Sequence, residues 1–481
     1  MKGARLEGFL YKGLGRVFFP ALFVLMLVLA PAAHVTARTI NVSPAGQLTL
    51  RQALASASSG DEIRVAAGTY LGNLTLDHDG LSLVGVGWPV IAGEERGSVL
   101  TVTGRKIRVS GFVVRGGGRQ LFKDEAGIHL IGAHGSRISN NRLQETLHGI
   151  FVHETENCLV EGNVIHGRTH VRPEQRGDGI HLHGSPFARI IRNEISGTHD
   201  GIYVNYSHYS HVEANTVQRV RYGVHYMYSN HNTITGNRLT HNVAGAAIMY
   251  GAHYTLTANL LAHNRGVRGY GLLWLDAAWA RCTGNLVYDN STGLYLDRAR
   301  QSEIVGNTIR GNDRAVVLEN SEENIFSANS FFSNPSRLQV RGRIRLGRTN
   351  RFDREKRGNY WSGCRGVDAD RDGVGDEPCV LQGVMDGLEV KDNAFQLYRF
   401  SPLAAVLQFM ERLKIGALQS SAILQDRFPL MKPPLLETPG AELQAPQGVA
   451  PLERLLTALL SALMILGSFF VIRWGRGLNG E

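Results

Sequence analysis

Hydrophobic and polar positions along this chain repeat with a period of 22 residues. Asparagine recurs at Asn141, Asn163, Asn193, Asn215, Asn237, Asn259, Asn285, Asn307 and Asn329, at spacings of 22, 30, 22, 22, 22, 26, 22 and 22. A glycine ladder keeps step 14 residues earlier: Gly127, Gly149, Gly179, Gly201, Gly223, Gly245, Gly271 and Gly293, ending in Ala315. Apolar residues fill fixed offsets, such as Ile202, Val204, Val212 and Val217 in one unit and Leu294, Leu296, Ile304 and Ile309 in another. Such short alternating segments leave no room for a helical stripe, so the period predicts an all-β fold, a right-handed parallel β-helix with one coil per repeat. Stacked coils place each strand ~4.8 Å from its copy, so like meets like. Asparagine is expected at one sharp corner, in the left-handed conformation, with its amide bonding along the stack; glycine is expected to free the backbone at another. The leucine-rich repeat signature is absent. Less regular coils are expected back to Arg38, through Leu81–Val84 and Val109–Val113.

Strand alternation, counted from the glycine, points positions one and three inward and two and four outward. Position two reads His129, Phe151, His181, Tyr203, His225, Ala247, Leu273, Tyr295, Val317; position four reads Ile131, His153, His183, Asn205, Met227, Met249, Leu275, Asp297, Glu319. Five of these 18 slots are histidine, where the chain's 18 histidines in 481 residues predict about 0.7. Imidazole and thioether on neighbouring rungs suit copper, Cu(I) above all, better than magnesium or calcium. The candidate ligands are His153, His183, Met227 and Met249, with His181 and His225 beside them. Two insertions, around His166–Arg176 and Arg265–Arg268, fall just before the glycine strand, where loops commonly frame a solenoid's binding face. A groove that stacks sugar rings, or a face that binds nothing, fits the same spacing. Positions two and four hold no Arg or Lys, which counts against an acidic-sugar epimerase or lyase.

Composition adds limits. Glycine at 56 residues, proline at only 15 and hydrophobic content of 43% exclude a disordered chain. Four cysteines without a CxxC pair exclude a disulfide scaffold and a zinc ribbon. The net charge of +9 comes without a basic run or nucleic-acid motif. Lys2, Arg5, Lys12 and Arg16 precede an apolar run from Val17 to Ala33 and then Val35-Thr36-Ala37, which predicts a signal peptide over 1–37, cleaved before Arg38 or retained as an anchor. Cleavage would leave a charge of about +6. The uncharged stretch Leu455–Ile472, followed by Arg473, Trp474 and Arg476, predicts a transmembrane helix over 452–473 with a cytoplasmic tail at 474–481.

Between these ends the expected order is β-helix over 38–345, a cap over 346–400, a helical partner-docking segment over 401–430 and a linker over 431–451. Asp368, Asp370, Asp372 and Asp376 resemble the start of a calcium loop, but Cys379 stands where a bidentate glutamate belongs, so an acidic capping turn is the rival reading. Cys364 and Cys379 bracket that loop and are a candidate disulfide in an oxidising compartment. Cys282 shares an inward offset with Val212 and Ile234 and is expected to be a buried thiol. The helical spacing of 401–430 rests on Leu403, Val406, Leu407, Met410, Leu413, Leu418 and Leu424.

The repeated GNxI and GNxL corners, the stretch Arg221-Tyr222-Gly223-Val224-His225-Tyr226-Met227-Tyr228-Ser229-Asn230, and Asn359-Tyr360-Trp361-Ser362 with its following DxDxDG resemble the NosD family over about Arg38 to Pro434. The resemblance implies a periplasmic protein that helps mature the copper centres of nitrous oxide reductase, here expected to be tethered to the inner membrane by the 452–473 helix. It implies an ABC-transporter permease and ATPase, a lipoprotein copper chaperone and the reductase as partners, copper as a transient ligand, and no catalysis. Cys364, Cys379 and the Leu455–Ile472 span depart from the family pattern. The rival function is a carbohydrate-binding or polysaccharide-modifying β-helix.

Overall fold

A computed structural model describes residues 37–342, 349–364, 366–381, 383–391, 393–398, 401–412 and 424–434. From Thr39 onward the chain winds as a right-handed parallel β-solenoid of about 14 turns. Each coil gives three short strands, for example Ile202–Asn205, His211–Glu213 and Thr216–Gln218. These stack into three parallel sheets of 12, 13 and 13 strands. The 12-stranded sheet carries the glycine ladder and is called the glycine sheet below. Registers are in phase, so Ile202 faces Val224 and Val212 faces Ile234 on adjacent coils. Their side chains form one apolar column that is fully buried. Cys282 continues it from Leu256, and Cys158 is buried as well.

The asparagines hold the corner between the two 13-stranded sheets, though not in the expected conformation. The left-handed residue is the one before each asparagine, among them Asn140, Arg192, Ala214 and Ala258, with φ between 53° and 56°. The ladder asparagines are buried, and each Nδ2 donates to the next Oδ1 at 2.8 to 3.1 Å from Asn141 to Asn359. Burial of so many amides is tolerable only because every one is paired.

The glycine ladder also has a different cause from the one expected. None of its members has a positive φ. A Cβ on Gly223 would lie 2.4 Å from the carbonyl oxygen of Gly245, and one on Gly149 2.4 Å from that of Gly179 and 2.7 Å from core Ile165. Close coil approach, not backbone freedom, demands glycine here. Both the glycine and the residue after it therefore face inward, and this breaks the alternation.

Three other expectations are corrected. A helix, α1 (Leu50–Ser56), interrupts the first coil; Thr49 and Gln52 form its capping box, and Leu50, Ala53 and Leu54 are buried. Tyr360–Trp361, placed with the cap by its sequence, is the last strand of a 13-stranded sheet, pairing with Ser330–Phe331, and Asn359 is the last ladder asparagine. Leu424, counted with a helix, lies in an extended stretch: Gln425–Asp426 pairs with Cys379–Val380, and Asp426 Oδ2 accepts from Asn359 N at 2.7 Å and Trp361 Nε1 at 2.9 Å. The 346–400 region also holds α2 (Val384–Lys391), while α3 (Pro402–Arg412) accounts for the start of the helical pattern. Leu413 and Leu418 lie outside the described residues, as do residues 1–36, most of the linker, the 452–473 span and the tail. Among the described residues no helix is long and apolar enough to cross a membrane.

Candidate functional site

The outer face of the glycine sheet presents position two as a column of touching rings. His129, Phe151, His181, Tyr203 and His225 follow one another with centroids 5.0, 4.4, 4.6 and 4.7 Å apart. Position four forms the adjacent row, in which His153 stacks on His183 at 5.4 Å and 4°. Asn205 follows, its Nδ2 3.4 Å from His183 Nδ1, and then Met227 pairs in register with Met249. His153 and His183 are thus separated from the two thioethers by a rung. The six expected ligands do not form one site.

A cleft of about 340 Å³ opens further along the face. Asp178, His199, Asp200, Tyr203, Arg221, Tyr222, His225, Met227 and Met249 line it. His225, Met227 and Met249 were expected as ligands and Tyr203 as an outward residue; Asp178, Asp200 and Tyr222 come from the break in alternation at the glycines, with His199 and Arg221 each one residue earlier. Because glycine and its successor both face inward, the residue before each glycine faces outward with position two. That column reads His148, Asp178, Asp200 and Tyr222 in successive coils. Reading it in the sequence would have revealed the two aspartates. Arg221 lies one residue earlier, outside positions two and four, so a basic group borders the groove although those positions hold none.

Asp200 is 1% exposed and organises one half of the cleft. Arg221 donates to it twice, from Nε at 2.8 Å and Nη2 at 2.7 Å, and His225 Nδ1 lies 2.8 Å from its Oδ2. With Nδ1–H directed at the carboxylate, His225 presents a bare Nε2, buried and without a hydrogen-bond partner. Carboxylates behind an imidazole in this way fix the tautomer of metal-ligating histidines. Tyr203 Oη donates to Met227 Sδ at 3.3 Å. Burial opposes the Asp200 charge, but the hydrogen bonds from Arg221 and His225 outweigh it and hold the carboxyl below its ordinary range.

Asp178 organises the other half and is 8% exposed. His181 Nδ1, His199 Nδ1 and His148 Nδ1 stand 3.1, 3.6 and 3.8 Å from its oxygens. Burial works against its charge too; the imidazoles of His181 and His199 beside it overcome this and hold it well below the usual carboxylate range. Burial lowers His129 and His148 to about 4, so both are neutral at pH 7, and lowers His183. It pushes Tyr203 up to about 12. The face is a bed of imidazoles and thioethers over two buried anions, a donor set for soft and borderline cations.

The acidic loop is separate. Asp368, Asp370 and Asp372 bring carboxylate oxygens within 4.8 Å of one another. Gly373 N donates to Asp368, Asp372 N to Asp370, Val374 N to Asp372 and Ala369 N to Asp376, so the turn's own amides engage all four side chains. Cys364 and Cys379 are joined beside it, with Cα atoms 5.8 Å apart.

Residues 55–172 and 165–366 match the sequence profile described as "Periplasmic copper-binding protein (NosD)". The chain is 35% identical over 388 residues to the "Probable ABC transporter binding protein NosD" of Stutzerimonas stutzeri, covering 77% of this chain and 87% of that one. It is 36% identical over 434 residues to the protein of the same name from Pseudomonas aeruginosa, covering 87% and 96%. Among solved structures, the A-module of an Azotobacter vinelandii mannuronan C-5 epimerase superposes with a TM-score of 0.52 at 14% identity, over 62% of this chain and 91% of that one, a likeness of fold alone. With the profile spanning most of the solenoid and two relatives matched along most of their length, the chain belongs to the NosD family of periplasmic copper-binding proteins.

Proposed function

We propose that this protein takes up Cu(I) in the glycine-sheet cleft and relays it during maturation of the copper centres of nitrous oxide reductase, without catalysis of its own. The observation that carries this reading is the bare, buried Nε2 of His225 beside two thioethers on adjacent rungs. Cu(I) favours thioether and imidazole ligands, and Met227, Met249 and His225 supply them from one cleft. The neighbouring rungs, His181 and then His153 with His183, serve as further stations, because rungs ~4.8 Å apart cannot all ligate one ion. An ABC-type permease and ATPase, a lipoprotein chaperone and the reductase are the partners; the names of the two relatives support the first. The exposed Leu403, Val406 and Phe409 of α3 offer an apolar docking face, and 452–473 would tether the chain to the inner membrane. A uronate-modifying enzyme is the weaker reading: Arg221, the basic residue in the cleft, is already committed to Asp200 through two hydrogen bonds.

The test is anaerobic Cu(I) competition titration of the full chain and of a Met227→Ala/Met249→Ala/His225→Ala variant. At ~1.4 kcal/mol per tenfold, loss of three ligands is expected to weaken binding by at least a hundredfold. Equal affinity in both proteins would remove the cleft from the relay.

A further inference from the structure

The cleft has two ends of different chemistry, and only one is soft. At the Asp178 end every donor is nitrogen or oxygen. Imidazole Nδ1 atoms surround the carboxylate: His181 from its own coil, His199 from the turn after it and, further off, His148 from the coil before, whose Nδ1 accepts from Asp178 N at 3.0 Å and so holds the aspartate in place. Two overlapping groups of ligand atoms, His148–Asp178–His181 and Asp178–His199–Asp200, each fall within 4.8 Å. Donors bound at ~2.0–2.1 Å to one ion lie about 2.9 Å apart when cis in a square plane and about 3.3 Å apart in a tetrahedron, and the His181 and His199 separations of 3.1 and 3.6 Å from Asp178 are near those values.

The charge arrangement differs from that of the neighbouring carboxylate as well. Asp200 has a guanidinium; among the described residues Asp178 has only histidines within ion-pair distance. Both ring nitrogens of His181 are buried and lack a hydrogen-bond partner, as does the Nε2 of His225, a residue that lines the cleft. A buried anion ringed by imidazoles is the first coordination shell that a divalent ion of borderline hardness requires.

We propose that Asp178, His181 and His199, with His148 in support, form a second metal site that binds a divalent cation, Cu(II) in preference to Zn(II), distinct from the sulfur-containing site at Met227 and Met249. The preference follows the Irving–Williams order for N/O donors, and the absence of sulfur disfavours Cu(I). The cleft then holds an oxidised-copper site at Asp178 and His181 and a reduced-copper site two or three rungs further on, at Met227 and Met249. The inference does not depend on the relay of Cu(I).

The test is aerobic titration of the full chain with Cu(II) alone, read by electron paramagnetic resonance, beside Asp178→Asn, His199→Ala and Met227→Ala/Met249→Ala. Wild-type protein should bind one Cu(II) with nitrogen superhyperfine splitting. Asp178→Asn and His199→Ala should each weaken it tenfold or more, while the double methionine variant keeps both affinity and spectrum. His199 is partly exposed, so its variant decides the matter should Asp178→Asn fail to fold. An unchanged spectrum and affinity in His199→Ala, or a loss in the methionine variant as large as in His199→Ala, would overturn the site. Cu(II) binding retained in a protein that takes up no Cu(I) would leave this site standing and remove the soft one.

Discussion

At the scale of single residues, the cleft depends on how Asp200 divides itself between Arg221 and His225. One oxygen accepts from Arg221 Nε, and the other meets both Arg221 Nη2 and His225 Nδ1. Asp200→Asn would keep the shape while replacing one acceptor with a donor and leaving the guanidinium without its counter-charge. Removing one partner of a buried pair costs about 3–5 kcal/mol, although Arg221 is partly exposed and the cost should fall toward the lower end. His225 would also lose the acceptor that fixes its tautomer, and loss of a carboxylate that orients a ligating imidazole weakens metal binding by about 10–100-fold. Cu(I) affinity and the urea midpoint of Asp200→Asn should therefore both fall; an altered midpoint with unaltered affinity would separate His225 from the metal. Histidine and methionine enrichment was visible in the sequence because those residues occupy the expected parity. Asp178 and Asp200 were not, because parity was counted through a glycine that resets it.

At the scale of the element, the repeat is held by two ladders with different tolerances. Asn237 accepts from Asn215 and donates to Asn259 Oδ1 and Val212 O, so Asn237→Ala strands partners on both sides. Each buried group left unsatisfied costs about 1–3 kcal/mol. Gly223→Ala places a methyl against the fixed carbonyl of Gly245 and pushes two coils apart. Both variants should lower the urea midpoint of unfolding, whereas Ala315→Gly, at the ladder's end, should change it by no more than about 1 kcal/mol. A Gly223→Ala protein as stable as wild type would show that the coils can separate without cost. The period was legible because stacking in register makes each coil repeat its neighbour's side chains. The cause of the glycines was not, since a permitted left-handed φ and a forbidden Cβ leave the same letter in the chain.

At the scale of the whole molecule, pH acts oppositely on the cleft and on the end of the asparagine ladder. Burial raises the Asp426 carboxyl, only partly offset by hydrogen bonds from Trp361, Asn359 and Phe428. Its unfolded form ionises first, near pH 4, so the folded state loses stability as pH rises from there through the raised value. Asp178 and Asp200 are lowered in the fold; their contribution is present above the unfolded value and is lost as pH falls through the folded one. Subtracting the urea stability of Asp426→Asn from that of wild type between pH 3 and 7 should give a difference that declines with rising pH and then levels. A difference that rises with pH would reverse the assignment.

The sequence by itself determined the solenoid, its period, the sheet that carries the imidazoles and thioethers, and the family. All of these follow from residues repeated at fixed intervals, and a stacked fold writes its geometry as repetition. Tertiary structure alone decided that His153 and His183 stand apart from Met227 and Met249, and that Trp361 closes a sheet beneath Asp426. It also decided that two aspartates before glycine lie in the cleft. Those facts depend on the direction a side chain takes where the chain bends, and the bend is set by contacts between coils rather than by neighbours in sequence.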